Sequence, residues 1–283
     1  MDISNVRQDL WKVLDQSLET VTTQWIHDKL REVLTTRSTQ KLYLMYSVLG
    51  EKVDIGKSID YSGIDHELQD YLETHGANSL EISRVFLLSS VLNEDGSYYE
   101  PKVANIIQVA DTGELEVFLK YLIVLPNAVH YKHAAVEALR TNISIIFDAI
   151  TLNNPYPSIY FNEQQWNQMY LKAAFMQRDL TQIIGVDERG NKDLTRIISD
   201  YAHERWAASR EIDPVFWRPV SNFIEGVLLD DMNRLFNSGN ERERKAATLC
   251  CYQSELEEAR NLALAHPEFL QDAKENTISW STI

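Results

Sequence analysis

The chain has 283 residues, of which 44% are hydrophobic and 24% are charged, so it is long and apolar enough to bury a large core, and its composition excludes intrinsic disorder. Its formal net charge of −15, with no basic patch to offset it, makes nucleic acid and anionic lipid unfavourable partners. No run reaches the roughly 18 to 20 apolar residues that a membrane-spanning helix needs, and charges interrupt the stretch where a signal peptide would be apolar. We therefore expect a cytoplasmic protein that does not span a membrane.

The two cysteines of the chain, Cys250 and Cys251, are adjacent and lie in a helical pattern. This arrangement suggests neither a disulfide framework nor a thiolate metal site. We interpret both as small buried residues of a protein in a reducing compartment.

Segments with the 3.6-residue period of an α-helix follow one another along the chain, and no region shows the period-2 alternation of strands. The predicted helical segments, in chain order, are Val6 to Leu34, Gln40 to Val48, Ser79 to Val91, Lys102 to Ala110, Leu115 to Leu122, Tyr131 to Asn153, Glu163 to Phe175, Asp193 to Ala208, Pro214 to Phe236 and Glu241 to Ala265. Longer loops are predicted at Asp54 to Asp65, Asn93 to Pro101 and Ile183 to Asn191.

Short helices joined by short turns, with alanine-rich stretches that allow close helix packing, predict an all-α protein. The first interpretation is an irregular helical-repeat superhelix of the HEAT or armadillo kind, and the alternative is a compact multi-helix bundle. We expect a single all-helical domain over residues 1–283, in which residues 266–283 form a C-terminal tail.

Two polar residues fall on the apolar side of predicted helices. Asn142 lies within the apolar arc of the segment 131–153, which predicts a buried amide that bonds either to a neighbouring loop or to a ligand. Arg205 lies within the arc of the segment 193–208, where its guanidinium needs a carboxylate or carbonyl partner. Such an arginine acts either as an architectural clamp or as a receptor for an anion.

The prolines of Asn154-Pro-Tyr-Pro157 force the chain out of helical geometry. The turn is either a corner between two helices or a binding loop that presents Tyr156.

Candidate catalytic residues lie on the predicted helix that contains His203. Asp200 and Glu204 are the neighbouring carboxylates that would orient this imidazole as a general acid or base. Histidines and carboxylates also occur at His130, His133 and Glu137, but the paired Glu-x-x-His pattern of a two-metal bundle is missing. Phosphate-binding loops and nucleophile elbows are absent as well, so we predict no metal site and no cofactor.

The centre of the chain resembles a known family. The motifs that carry the resemblance lie between Ala135 and Trp217 and read Ala-Val-Glu-Ala-Leu-Arg-Thr-Asn142, Asn154-Pro-Tyr-Pro157, Trp166-Asn-Gln-Met169 with Leu171-Lys-Ala173, and Asp200-Tyr-Ala-His-Glu-Arg-Trp-Ala-Ala208. Together they are similar to the EboA-domain family, with residues 126–225 as the EboA-like segment. The loop Asp187-Glu-Arg-Gly-Asn191 stands where the family usually reads close to Asp-Arg-Arg-Ala-Asn, so Glu188 departs from the pattern while Arg189 and Asn191 match it.

The resemblance implies a cytoplasmic accessory role, because EboA-like proteins have no assigned reaction and belong to bacterial gene clusters linked to secondary-metabolite precursors. The implied partners are protein products of the same cluster or a small metabolite. The first hypothesis is a non-catalytic adaptor that supports processing or transport of a precursor. The alternative is an enzyme that acts on a metabolite intermediate with His203 as acid or base and with Arg205 or Arg189 holding an anionic group of the substrate. The candidate residues for ligand or partner binding are Asn142, Tyr156, Trp166, Asn167, Lys172, Arg189, Asn191, Arg205 and Trp206.

Overall fold

A computed structural model describes residues 5–283, and these residues form helices and turns without any β-strand. The prediction of an all-α protein is confirmed. The helices of the described residues are α1 (Val6–Ser17), α2 (Thr20–Thr36), α3 (Thr39–Lys52), α4 (His66–Thr74), α5 (Ser79–Ala104), α6 (Ile106–Val109), α7 (Thr112–Lys120), α8 (Lys132–Ala138), α9 (Ser144–Thr151), α10 (Tyr156–Tyr160), α11 (Glu163–Phe175), α12 (Lys192–Ala207), α13 (Val227–Phe236), α14 (Glu241–Gln253), α15 (Glu257–Ala265) and α16 (Leu270–Lys274). None of these helices is both long and apolar enough to cross a membrane.

The described residues divide into two compact units, with the boundary between Tyr156 and Pro157. In the first unit, α5 is the central helix, and α1, α2, α3 and α7 pack against it. Its residues 81–92 are all buried, because neighbouring helices cover every side. The helix begins with a capping box, in which Asn78 and Glu81 exchange side-chain and backbone hydrogen bonds.

The predicted loop from Asn93 to Pro101 is wrong, because α5 continues through it to Ala104. A kink occurs at Asp95, whose φ of −151° and ψ of 78° leave the helical region. The Asp95 carboxylate accepts hydrogen bonds from the Ser97 hydroxyl and from the Tyr98 amide, so it caps the start of the second half of the helix.

The predicted continuous helix from Tyr131 to Asn153 is also wrong, because α8 ends at Ala138 and α9 begins at Ser144. The Thr141 hydroxyl accepts a hydrogen bond from the Ile143 amide at 3.0 Å, a local bond that competes with the helix. Asn142 consequently lies in the loop and is exposed, and its predicted burial is wrong.

The second unit contains α11 to α16 and a 3-10 helix at Pro214–Phe223. The helix α11 has the bounds that the sequence predicts, whereas the predicted helix from Pro214 to Phe236 is divided into the 3-10 helix and α13. The 3-10 helix packs against α14, and its Trp217 is fully buried. Both cysteines lie in this core, as predicted.

Candidate functional site

The helix α12 carries all three sequence-predicted catalytic residues and two of the predicted binding residues. It follows the capping residue Asn191, whose side chain accepts a hydrogen bond from the Leu194 amide. One side of the helix presents His203 and Trp206, and Arg205 points into a different cleft.

The imidazole of His203 pairs with a carboxylate on the next α-helix. Its Nε2 lies 2.6 Å from Oδ1 of Asp231, which is on α13 and is 2% exposed. The second oxygen of Asp231 accepts a hydrogen bond of 2.6 Å from the hydroxyl of Ser199. Asp200 and Glu204, the predicted orienting carboxylates, are exposed. The carboxylate that orients the imidazole is that of Asp231.

Aromatic and cationic side chains line a groove together with this pair. The ring of Trp206 lies 5.4 Å from the imidazole of His203 and stacks on Trp217 with centroids 5.7 Å apart. The guanidinium of Arg234 lies over the Trp206 ring at 4.1 Å. We call this feature of about 450 Å³ the His203 groove, lined by His203, Trp206, Ala207, Asp230, Asp231 and Arg234.

The order of the hydrogen bonds limits the chemistry of the groove. In a serine hydrolase the histidine bonds to the serine and takes its proton. Here Asp231 lies between Ser199 and His203, so the Ser199 hydroxyl is bound to a carboxylate and is not activated by the imidazole. What remains is a histidine oriented by a buried carboxylate, which suits hydrogen bonding or proton exchange with a ligand.

Arg205 has a carbonyl partner, one of the two kinds of partner that the sequence predicts for it. Its Nε and Nη2 both donate to the carbonyl oxygen of Glu211, at 3.1 and 2.7 Å. This bond closes the turn that follows α12. The arginine therefore clamps the backbone and does not reach His203.

Four of the predicted binding residues form a structural cluster around the start of α12. Asn167 and Asn191 exchange two side-chain hydrogen bonds, of 3.1 and 2.9 Å. Arg189 donates to the carbonyl oxygens of Ser158 and Phe161, at 2.5 and 2.8 Å. We call Trp166, Asn167, Arg189 and Asn191 the Arg189 clasp.

Trp166 forms the buried floor of the Arg189 clasp. Its ring is 0% exposed and lies 5.0 Å from the guanidinium of Arg189. Partial burial lowers the pKa of Arg189 from its usual value. These contacts hold the loop before α12 against α10 and the residue that follows it, which is an architectural task.

The other predicted residues are not among those that line the His203 groove. Tyr156 is fully buried, and its hydroxyl donates to the carbonyl oxygen of Ala128 at 2.6 Å, so the proline turn forms a helix corner that does not present this ring. The buried Asn154 amide donates to the carbonyls of Leu119 and Ala149 and stabilises that corner. Lys172 is half-buried, and desolvation lowers its pKa.

Across residues 5–283, no group of three or more His, Cys, Asp or Glu side chains is arranged to hold a metal ion.

The sequence prediction missed Asp231, Ser199 and Arg234. A signal for Asp231 exists, because the buried residues of α13 follow a helical stripe of Leu228, Asp231, Met232, Leu235 and Phe236. A carboxylate within such a stripe needs a buried partner, which is the same argument that identified Arg205. No comparable local signal marks Arg234, since it is exposed.

Comparison with known proteins agrees with the resemblance seen in the sequence and extends it. A family model described as the metabolite traffic protein EboA matches residues 6–221, which includes the N-terminal region as well as the centre. No curated protein and no solved structure matches the chain. The extent of the family match shows that the chain belongs to the EboA family.

Proposed function

We propose that this chain is a non-catalytic cytoplasmic accessory protein that supports the processing or transport of a secondary-metabolite precursor. Its ligand is a small metabolite or a protein product of the same gene cluster. The family description as a metabolite traffic protein supports a role of this kind. The His203 groove is the contact surface in this proposal.

The observation that carries the proposal is the composition of the His203 groove. It places a half-buried tryptophan beside an exposed arginine and a histidine whose side chain is 51% exposed. Tryptophan and arginine are the residue types that contribute most to binding at interfaces. Asp231 holds the imidazole in one orientation, so the groove is organised before a ligand arrives.

The Asp231–His203 pair supports an enzyme as the second candidate, because a buried carboxylate fixes the position of a possible acid or base. Two observations rank it lower. The imidazole is half-exposed, whereas acid–base catalysis gains from a site that excludes water. Arg189 and Arg205, which the enzyme hypothesis uses to hold an anionic substrate, are bonded to backbone carbonyls elsewhere.

Native mass spectrometry of the full chain, purified from cells that express the rest of its gene cluster, tests the accessory role. We expect a non-covalent mass excess that disappears on denaturation and whose size distinguishes a metabolite from a protein. Arg234→Ala should weaken the affinity about tenfold, the value of one charge-assisted contact, and so lower the bound fraction. Arg260→Ala is the matched control, because Arg260 is an exposed arginine of α15 outside the groove.

A bare polypeptide mass from such cells would contradict the proposal. Equal decreases of the bound fraction in Arg234→Ala and Arg260→Ala would show that the His203 groove is not the contact surface. A bound metabolite that changes mass on incubation with the wild type, but not with His203→Gln, would favour the enzyme. Trp166→Ala is unsuitable as a test, since that ring is buried and its removal would damage the fold.

A further inference from the structure

A second cleft of the same unit lies between the ends of α11 and α12 and the start of α14, with a volume of about 560 Å³. This volume is within the range of pockets that hold small molecules. Four arginines line the cleft: Arg178, Arg205, Arg210 and Arg242. We call it the arginine cleft.

The helices α11 and α12 end in the same way, and each delivers an arginine to the cleft. Gln177 and Ser209 adopt left-handed backbone conformations, with φ of 55° and 53°. The amide of Arg178 then donates to the carbonyl of Ala173, and the amide of Arg210 donates to the carbonyl of Arg205. Each turn is a Schellman-type helix end, which places the following side chain close to the terminus.

The charge of the arginine cleft is the reverse of the charge of the chain. Its lining contains the carboxylates of Glu211 and Asp213 against four guanidinium groups, in a protein of net charge −15. Asp213 also caps the 3-10 helix through the Val215 amide and lies 3.7 Å from Arg242. The favourable interaction of a cation with a helix C-terminus explains a single arginine at such a position. It does not explain four arginines around one cleft.

The arginines differ in how far the fold already uses them. Arg205 holds the Glu211 carbonyl, and Arg242 donates to the carbonyl oxygen of Ile283 at 3.1 Å. The side chain of Arg210 is exposed and makes no hydrogen bond or ion pair with any other described residue from 5 to 283. Its guanidinium is available to a ligand, because none of its donors is engaged in the fold.

An aromatic wall lies beside these cations. Tyr201 is half-buried in the lining, and its ring meets the buried ring of Phe216 edge to face at 5.3 Å. The guanidinium of Arg205 lies 5.9 Å from the Tyr201 ring. A ligand in the cleft would therefore meet guanidinium donors and the face or edge of one ring.

We infer that the arginine cleft is a binding site for a small organic anion, with a phosphate or carboxylate held by Arg210 and its neighbours and an apolar part against Tyr201. Guanidinium groups match both oxyanions geometrically. The site is separate from the His203 groove, and none of its lining residues belongs to that groove.

Isothermal titration calorimetry of the full chain at 0.15 M salt tests the inference with phenyl phosphate, benzoate, inorganic phosphate and phenol. Phenyl phosphate and benzoate should bind, phenyl phosphate should bind more tightly than inorganic phosphate, and phenol should not bind, since it lacks the anion. Arg210→Ala should weaken phenyl phosphate binding about tenfold, the value of one charge-assisted contact. Arg260→Ala, which makes the same change of charge outside the cleft, should leave the affinity unchanged.

Failure of both organic anions to bind would overturn the inference, as would equal weakening by Arg210→Ala and Arg260→Ala. Equal affinity for inorganic phosphate and phenyl phosphate would overturn the inference that an apolar part of the ligand packs against Tyr201. Arg234→Ala, the variant that tests the proposed function, should leave phenyl phosphate binding intact, so the failure of one proposal is distinguishable from the failure of the other.

Discussion

Asp231 Oδ1 lies 2.6 Å from His203 Nε2, and the other oxygen of the same carboxylate accepts the Ser199 hydroxyl. The carboxylate is buried, whereas the imidazole is half-exposed. Removal of Asp231 and removal of His203 should therefore have unequal effects on stability.

Asp231→Ala should lower the free energy of unfolding by about 2 kcal/mol, because it leaves the buried Ser199 hydroxyl without its partner. His203→Ala should cost about 1 kcal/mol or less, since water can reach the oxygen that the imidazole leaves. Urea denaturation of both variants measures the difference. A larger cost for His203→Ala would mean that the imidazole, and not the carboxylate, organises this region.

The pairing of His203 with Asp231 shows why the sequence predicts the elements better than the site. The helix α11 has its predicted bounds because its cap and its apolar period are local features of the chain. The partner of His203 lies 28 residues away on another helix. Helical spacing favours Asp200 or Glu204 as the partner of His203, because they are nearer in sequence. Asp231 becomes the partner only because α13 packs against α12.

Asn142 and Arg205 show that burial, too, is predicted from the sequence only where the local helix is predicted correctly. The prediction that each lies on an apolar arc assumes straight, continuous helices. The assumption holds for α12, where Arg205 has a carbonyl partner, one of the two kinds predicted for it. It fails between α8 and α9, where a threonine side chain bonds to the backbone and Asn142 becomes exposed.

The Arg189 clasp predicts a strong preference for a guanidinium over an ammonium group. Arg189 reaches the carbonyls of Ser158 and Phe161 with two different nitrogens. Lysine offers a single nitrogen on a flexible stem, so Arg189→Lys should lower the free energy of unfolding by about 2 kcal/mol. Arg196→Lys is the control, because Arg196 is exposed and lies 3.8 Å from Asp193. Urea denaturation should show a change below about 0.5 kcal/mol for the control, and equal costs would exclude a special role for the clasp.

Gly190 is required by the close approach of another backbone segment. A Cβ at this position would lie 2.7 Å from the carbonyl oxygen of Pro219, which is held in the 3-10 helix and cannot rotate away as a side chain would. Gly190→Ala should therefore destabilise the protein by about 1 to 3 kcal/mol through overpacking.

Gly239→Ala is the matched control for Gly190→Ala, because no heavy atom beyond its own residue and its two chain neighbours lies within 4 Å of its Cβ position. Thermal denaturation of the two variants should show a lower melting temperature for Gly190→Ala alone. A neutral Gly190→Ala would mean that the Pro219 segment shifts at little cost.

His75 predicts a pH dependence of stability in the first unit. Burial, followed by the charge of Lys120, lowers the pKa of His75 to about 4. Its ring packs against Tyr71 and Tyr121, and its Nε2 is buried without a hydrogen-bond partner among residues 5–283. The folded protein therefore favours the neutral imidazole.

In the unfolded chain His75 titrates near the ordinary value of about 6.5. As the pH falls from about 6.5 to about 4, the unfolded chain binds a proton that the folded protein does not, so the contribution of His75 to stability decreases across this window. After allowance for the partial exposure of the ring, the loss should be about 2 kcal/mol. Urea denaturation between pH 7 and pH 4 should show a steeper decline for the wild type than for His75→Phe, which fills the same space without a titrating group. Parallel declines would show that His75 is protonated at its ordinary pKa in the folded protein, which would contradict a buried neutral imidazole.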